Sequence, residues 1–135
     1  MAGMDFSELD RLAADLGEVP KRAAPLIRKA IEVTSFKVKT AAGKTAGTGD
    51  PRWRPLPSAI DYEIKTFQGF GASVIQSEIG YDKDSDVGKL GNIREFGTPR
   101  VAPHNDLKIA LEANQDDFEK GLMIALEQAE KAAGL

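Results

Sequence analysis

The sequence predicts an α+β domain: two N-terminal helices, a small antiparallel β-sheet, a short helix and a long C-terminal helix. Apolar residues recur every three or four positions at 26–41 and at 107–132, which is typical of amphipathic helices. Between these segments, residues 60–66 alternate between bulky and charged side chains, which predicts a half-buried strand. A length of 135 residues suits one domain, 1–135, and is too short for two.

Two helices are expected at the N-terminus. Asp5 and Glu8 have the spacing of a capping box, and Gly17 is placed to end the helix that they begin. Its apolar stripe consists of Phe6, Leu9, Leu12, Ala13 and Leu16. The second helix begins after Pro20, and Pro25 should lie in its first turn, where the missing N–H costs nothing.

Residues 42–57 interrupt the helical pattern, and we expect a flexible arm or loop there. Glycine and proline dominate the segment at Gly43, Gly47, Gly49, Pro51, Pro55 and Pro57. A loop of this length in a small domain is usually functional or disordered. Trp53 lies between Arg52 and Arg54. It either folds back onto the core or anchors the segment on a neighbouring subunit, and both interpretations stay open.

A β-hairpin follows, with strands at 60–66 and 72–81 joined by a turn at 68–71. A sheet this small needs helical cover, and its exposed edges invite pairing with another subunit. The polar loop at 82–88 begins like a calcium-binding loop. Val87 and Ile93 occupy the positions that require glycine and a bidentate glutamate, so we expect no metal site.

A rigid corner is predicted at residues 91–111, between the sheet and the last helix. One or two helical turns should precede Gly97, which can adopt the positive φ that ends a helix. The apolar side of these turns would be Leu90, Ile93 and Phe96. Asn105 or Asp106 is expected to cap the long helix. The corner holds four polar residues at fixed positions, namely Arg94, Glu95, Thr98 and Arg100.

Charge is unevenly distributed along the chain, although the net charge is only −3. Residues 20–54 hold nine basic residues against two acidic ones, inside a protein that is otherwise acidic. This segment is either a solvated face or a surface that meets DNA phosphates or an acidic partner. The candidate residues for such a surface are Arg28, Lys29, Lys37, Lys39 and Lys44.

The side chains available for chemistry are few. The chain has no cysteine, and its one histidine, His104, is expected to be a solvated residue or a contact at the start of the last helix. No carboxylate lies in an apolar setting that would raise its pKa. No apolar run approaches the roughly 20 residues of a membrane span. We therefore expect no enzyme, no cofactor, no metal and no membrane association.

Four short motifs occur in an order and spacing that resemble a known family. They are Leu56-Pro57-Ser58-Ala59-Ile60 before the first hairpin strand, Glu95-Phe96-Gly97-Thr98 at the corner, Ala102-Pro103 after it, and Ala110-Leu111 in the last helix. Together they resemble the gene-product-ten-like neck, or tail-completion, proteins of long-tailed bacteriophages. The Glu-Phe-Gly-Thr motif is the most specific of the four.

The resemblance implies a structural protein of the virion, assembled in the bacterial cytoplasm, that joins the DNA-filled head to the tail. It would form a homo-oligomeric ring, with six copies expected, next to head-closure, tail-terminator or tail-tube proteins. Genomic DNA would pass through the lumen without sequence-specific contact. Subunit or partner contacts would involve Arg52, Trp53, Arg54, Arg94, Glu95, Thr98 and Arg100. The alternative is a small DNA-binding or regulatory protein that uses residues 20–54.

Overall fold

A computed structural model describes residues 11–15, 23–69 and 72–132 and confirms the α+β class. In chain order the elements are β1 (Arg11–Asp15), α1 (Ala23–Ala46), two 3₁₀-helices (Pro51–Trp53 and Leu56–Ala59), β2 (Ile60–Gly69), β3 (Ala72–Tyr81), α2 (Asp86–Phe96) and α3 (Asp106–Ala132). Strand order in the sheet is β1-β3-β2, with both pairings antiparallel.

The hairpin was predicted correctly, although β2 runs to Gly69, three residues beyond the predicted strand and into the predicted turn. Ile60 pairs with Tyr81 at one end and Gly69 pairs with Ala72 at the other, without a break in register. Because side chains alternate between faces, Ile60, Ile75 and Ile79 enter the core on one face of the sheet. Helix α1 packs across both hairpin strands.

The N-terminal helix prediction is wrong over residues 11–15, which form β1. In this strand Arg11 pairs with Glu78 and Asp15 with Val74. The helical propensity of five residues is a weak preference, and the open edge of β3 offers backbone partners that override it. The remaining positions of the predicted helix lie outside the described residues.

The two long helices agree with the sequence prediction. Pro25 is the third residue of α1, within its first turn. Helix α3 packs along α1, and Gly121 of α3 lies opposite Ala30. The apolar faces bury Ile27, Ile31, Val38, Leu107, Leu111, Phe118 and Ala125. Among the described helices, none is both long and apolar enough to cross a bilayer.

The expectation that residues 42–57 lack regular structure is wrong. Helix α1 continues to Ala46, two 3₁₀-helices follow, and Leu56 is fully buried. Gly47 permits close packing here, because a Cβ atom at this position would lie 3.1 Å from the Pro57 ring. The Asp50 carboxylate accepts the backbone N–H of Arg52 and so caps the first 3₁₀-helix.

Helix α2 is longer than predicted, and only part of its predicted apolar side packs on the core, through Leu90. Ser85 caps it by accepting the N–H of Gly88 at 2.9 Å. Ile93, on the predicted apolar side, is exposed. The buried positions are Gly88, Gly91, Arg94 and Glu95. Glycines against the sheet and two charged residues at the end therefore fix the position of this helix.

Candidate functional site

The backbone of the corner is held by a tight turn after α2. Gly97 ends the helix with φ +75° and donates its N–H to the Ile93 carbonyl at 2.8 Å. Thr98 and Val101 exchange backbone hydrogen bonds of 2.8 and 3.2 Å. The Thr98 hydroxyl also accepts the N–H groups of Arg100 and Val101, each at 3.1 Å. The turn is thus tied at both ends by hydrogen bonds.

Arg94 connects the end of α1 to the start of α3. Its side chain is 4% exposed, and Nε donates to Oδ2 of Asp106 at 2.7 Å. The two terminal nitrogens donate to the carbonyls of Thr45 at 2.8 Å and Thr48 at 2.9 Å. The Thr45 carbonyl lies in the last turn of α1, and the Thr48 carbonyl lies two residues beyond its end. Carbonyls at a helix C-terminus lack intrahelical partners and carry partial negative charge. One guanidinium therefore neutralises both a carboxylate and a helix end.

Glu95 caps α3 from a distance. Its carboxylate accepts the N–H of Leu107 at 2.7 Å and the N–H of Lys108 at 3.3 Å. These are the first-turn amides that an N-cap side chain normally satisfies, and negative charge there is stabilised by the helix dipole. Glu95 is only 2% exposed, so the capping interaction is shielded from water.

The prediction that Asn105 or Asp106 caps α3 therefore needs correction. The Asp106 carboxylate is held by Arg94, and Asn105 adopts φ +56° just before the helix. Capping rules search the residue directly before a helix, whereas Glu95 is 12 positions before Leu107. The only sequence signal that pointed to Glu95 was its place in the Glu-Phe-Gly-Thr motif.

Trp53 folds onto the corner, which is the first of the two alternatives left open by the sequence. Its ring is half-buried, packs against the core and lies 5.5 Å from the Arg94 guanidinium carbon. The His104 ring meets it edge-on at 6.2 Å, and the backbone N–H of His104 donates to the Arg94 carbonyl at 2.8 Å. His104 thus makes a contact just before α3, which is one of the two roles expected for it.

Tyr81 lies buried against the same corner. Burial raises the pKa of its phenol, and the Asp106 and Glu95 carboxylates raise it further, while Arg94 partly offsets them. The hydroxyl has no hydrogen-bond partner within the described part of the chain. Gly91 packs directly on the Tyr81 ring, since a Cβ atom there would lie 2.2 Å from it.

The corner separates the predicted interface residues into two groups. Arg94 and Glu95 are buried and bind within the fold, so their polar atoms are turned away from a partner. The exposed members are Arg52, Arg54, Thr98 and Arg100. Arg52 pairs with Asp50 at 2.9 Å, which raises the pKa of Arg52 and lowers that of Asp50. The four exposed residues remain the candidates for subunit or partner contacts.

The basic residues of α1 point in two directions. Lys29, Lys37 and Lys44 are exposed and recur every seven or eight positions, so they share one side of the helix. Lys39 lies on another side, where its Nζ is 3.7 Å from the Asp61 carboxylate. Arg28 is exposed and lies on the side of Lys39, eleven positions before it. The predicted DNA-facing set is therefore not one continuous surface.

Large apolar side chains on the outside of the two long helices were missed by the sequence analysis. Phe36 is 59% exposed, Ile109 60% and Met123 64%. Val33, Ile124 and Leu126 are exposed as well. The sequence carried the signal for these exposed residues, because their positions lie off the apolar faces that predict the core.

No group of three or more side chains able to hold a metal ion occurs within residues 11–15, 23–69 and 72–132.

Comparison of the chain with models of known protein families, with curated proteins and with solved structures gave no match.

Proposed function

We propose that this protein is a structural subunit of a ring in the neck of a long-tailed bacteriophage, joining the head to the tail. The observation that carries the proposal is the set of large apolar side chains on the outer sides of α1 and α3, with Phe36, Ile109 and Met123 each more than half exposed. Large apolar side chains that are exposed in neighbouring pairs, Val33 with Phe36 on α1 and Met123 with Leu126 on α3, favour a protein–protein interface on each helix. The resemblance at Glu95-Phe96-Gly97-Thr98 supplies the kind of assembly.

The corner supports a structural role for the same motif. Glu95 caps α3, Gly97 makes the close turn, and the Thr98 hydroxyl ties that turn. Arg94, just before the motif, joins the ends of α1 and α3. All of these groups bind within the fold, so the motif keeps two long helices at a fixed mutual position. A ring subunit needs such a frame because its two neighbours contact different sides of it.

Catalysis is not part of the proposal. The buried charged groups of the corner are engaged with each other or with backbone groups, at distances of 2.7 to 3.3 Å. A general acid or base needs a free proton position next to a substrate. Arg94 and Glu95 instead act as fixed charges that stabilise helix ends.

The test is to remove the gene for this chain from a phage that carries it and to image the products by electron microscopy. We expect DNA-filled heads and free tails to accumulate, and the intact particle to show ring density at the neck that fits this fold. Normal particle yield without the protein would overturn the proposal. A purified protein that binds duplex DNA tightly and with strong salt dependence would favour the regulatory alternative.

A double variant tests two of the exposed interface candidates. Arg52→Ala combined with Arg54→Ala changes only exposed side chains, so the monomer should stay folded. We expect reduced assembly of the neck when this variant is the only copy supplied. Trp53 is left unchanged because it packs on the core and on Arg94.

A further inference from the structure

Helix α3 carries an exposed surface that combines acidic and apolar side chains. We call it the acidic stripe, and it consists of Ile109, Glu112, Asp116, Glu119, Met123, Leu126 and Glu130. The spacing alternates between three and four residues, which places every member on one side of the helix. All seven are exposed and four are acidic, and the exposed Lys108 borders the stripe one helical turn before Glu112.

Helix α1 carries a surface of the opposite sign. We call it the basic stripe, and it consists of Lys29, Val33, Phe36, Lys37, Thr40 and Lys44. All six are exposed, three are lysines and none is acidic. The apolar members Val33 and Phe36 are 47% and 59% exposed. Both stripes therefore combine large apolar side chains with one predominant sign of charge.

The two stripes cannot meet within one molecule. Helix α3 faces α1 through Gly121, which lies opposite Ala30, and the groove between the helices is lined on the α3 side by Asp117 and Ile124. Glu119 and Met123 are each two residues from Gly121, which places them about 160° around the helix from it. The acidic stripe thus points away from α1, while the basic stripe borders the groove through Lys29 and Lys37.

We propose that the acidic stripe of one copy docks on the basic stripe of the next copy in a head-to-tail interface. Each stripe would repel itself, so a symmetric pairing of like stripes is disfavoured. A contact between two different surfaces leaves one of each free at the ends, and it continues until the ring closes. This inference deepens the proposed neck function, on which its ring closure rests, by naming the surfaces that join.

Charge and apolar contact have separate tasks in this interface. Met123 and Leu126 would pack against Val33 and Phe36 and remove apolar area from water. The lysines and carboxylates around them orient the two copies and speed their encounter. Since the charged groups are exposed, association should be strongest at low ionic strength and weaken as salt is added.

The test uses charge reversal on each stripe and sedimentation velocity of the full chain. One variant combines Glu112→Lys with Glu119→Lys, and the other combines Lys29→Glu with Lys37→Glu. We expect the unchanged protein to form oligomers at low salt. Each variant alone should associate at least about tenfold more weakly. An equimolar mixture of the two variants should recover the oligomer, because each then offers the stripe that the other needs.

A matched control changes the same charge elsewhere. Lys83→Glu combined with Lys89→Glu alters two exposed lysines outside both stripes, and it should leave association unchanged. Circular dichroism of every variant should match that of the unchanged protein, since all substituted positions are exposed. Loss of association in the control would show that net charge, not the stripes, governs assembly.

Three results would overturn the interface: a monomer at every salt concentration, variants that associate normally, or a mixture that stays dissociated. Salt-dependent duplex binding abolished by Lys29→Glu with Lys37→Glu, without recovery in the mixture, would assign the basic stripe to DNA instead. The neck proposal fails separately. If the mixture recovers the oligomer but particles show no ring density, the interface stands and the neck function is wrong. If both variants assemble normal necks, the neck function stands and the interface is wrong.

Discussion

The corner and the two stripes use the same residue types in opposite ways. At the corner, Arg94 and Glu95 are almost fully buried, and their charges are matched by Asp106, helix-end carbonyls and helix-start amides. On the stripes, lysines and carboxylates are exposed beside exposed apolar side chains. Charge fixes internal geometry in the first region, and in the proposed interface it serves recognition by another copy in the second.

The difference follows from the cost of removing a charge from water. A buried charge must be paired and hydrogen-bonded, or it destabilises the fold by several kcal/mol. An exposed charge contributes little to stability, because water already solvates it. Substitutions at the corner should therefore change folding, whereas substitutions on the stripes should change association and leave folding alone.

The largest effect is expected from Arg94→Ala. The substitution leaves the buried Asp106 carboxylate without its partner, while the Thr45 carbonyl keeps its hydrogen bonds from Thr48. Breaking a buried ion pair of this kind costs about 3–5 kcal/mol. Urea unfolding followed by circular dichroism measures the loss.

The matched control is Arg100→Ala, six residues after Arg94 on the exposed surface of the same corner. It should change the free energy of unfolding by no more than about 0.5 kcal/mol. Equal losses in the two variants would contradict the assignment of Arg94 as the internal connection.

Gly97→Ala should have the next largest effect. Gly97 has φ +75°, and a Cβ atom would lie 2.6 Å from the Val101 carbonyl oxygen. Strain of this kind costs about 1–3 kcal/mol, which thermal or urea unfolding detects. Gly121→Ala is a control of opposite sign, because its Cβ would lie 3.8 Å from that of Ala30 and alanine favours the helix. A neutral Gly97→Ala would show that the turn relaxes freely.

The sequence was sufficient for elements whose signal is local and long. Both long helices and the hairpin follow from periodicity over many residues, and Gly97 ends α2 as its backbone freedom predicts. Strand β1 was missed because its pairing depends on β3, which lies some 60 residues away along the chain. Residues 42–57 were misread because Gly47 provides close packing against Pro57.

The site was only partly predictable for the same reason. The corner was located, but the partners of Arg94 are 46 and 49 positions away in sequence, and no spacing rule reaches them. The basic excess of residues 20–54 was visible, yet its division between two sides of α1 required the structure. The acidic stripe was visible in principle, since its spacing of three and four is a helical pattern.

Tyr81→Phe should have a small effect at neutral pH and a larger one in alkali. The buried hydroxyl has no partner within the described residues, so its removal should change stability by no more than about 1 kcal/mol at pH 7. Burial raises the pKa of Tyr81 above its usual 10.0, so the unfolded chain ionises first as pH rises. The stability that the protein gains from keeping the Tyr81 phenol protonated is therefore complete below pH 10 and is lost above it.

The measurement is the difference in unfolding free energy between the unchanged protein and Tyr81→Phe at several pH values. The difference should be constant below pH 10 and should shift in favour of the variant above it. The effects of pH on groups that both proteins share cancel in this difference. A constant difference up to high pH would show that the phenol is not buried beside the corner carboxylates.

The smallest effect on folding is expected from Phe36→Ser on the basic stripe. Its side chain is 59% exposed, so the monomer should lose no more than about 0.5 kcal/mol when unfolding is measured at high salt, where copies are apart. Val38→Ala, two residues later on the buried side of α1, should cost several times more despite the smaller change. At low salt the order should reverse: Phe36→Ser should weaken association, and Val38→Ala should leave it intact as long as the chain is folded. A large loss of monomer stability in Phe36→Ser would mean that the Phe36 side chain belongs to the core of its own chain. The separation between a folding region and an assembly region would then fail.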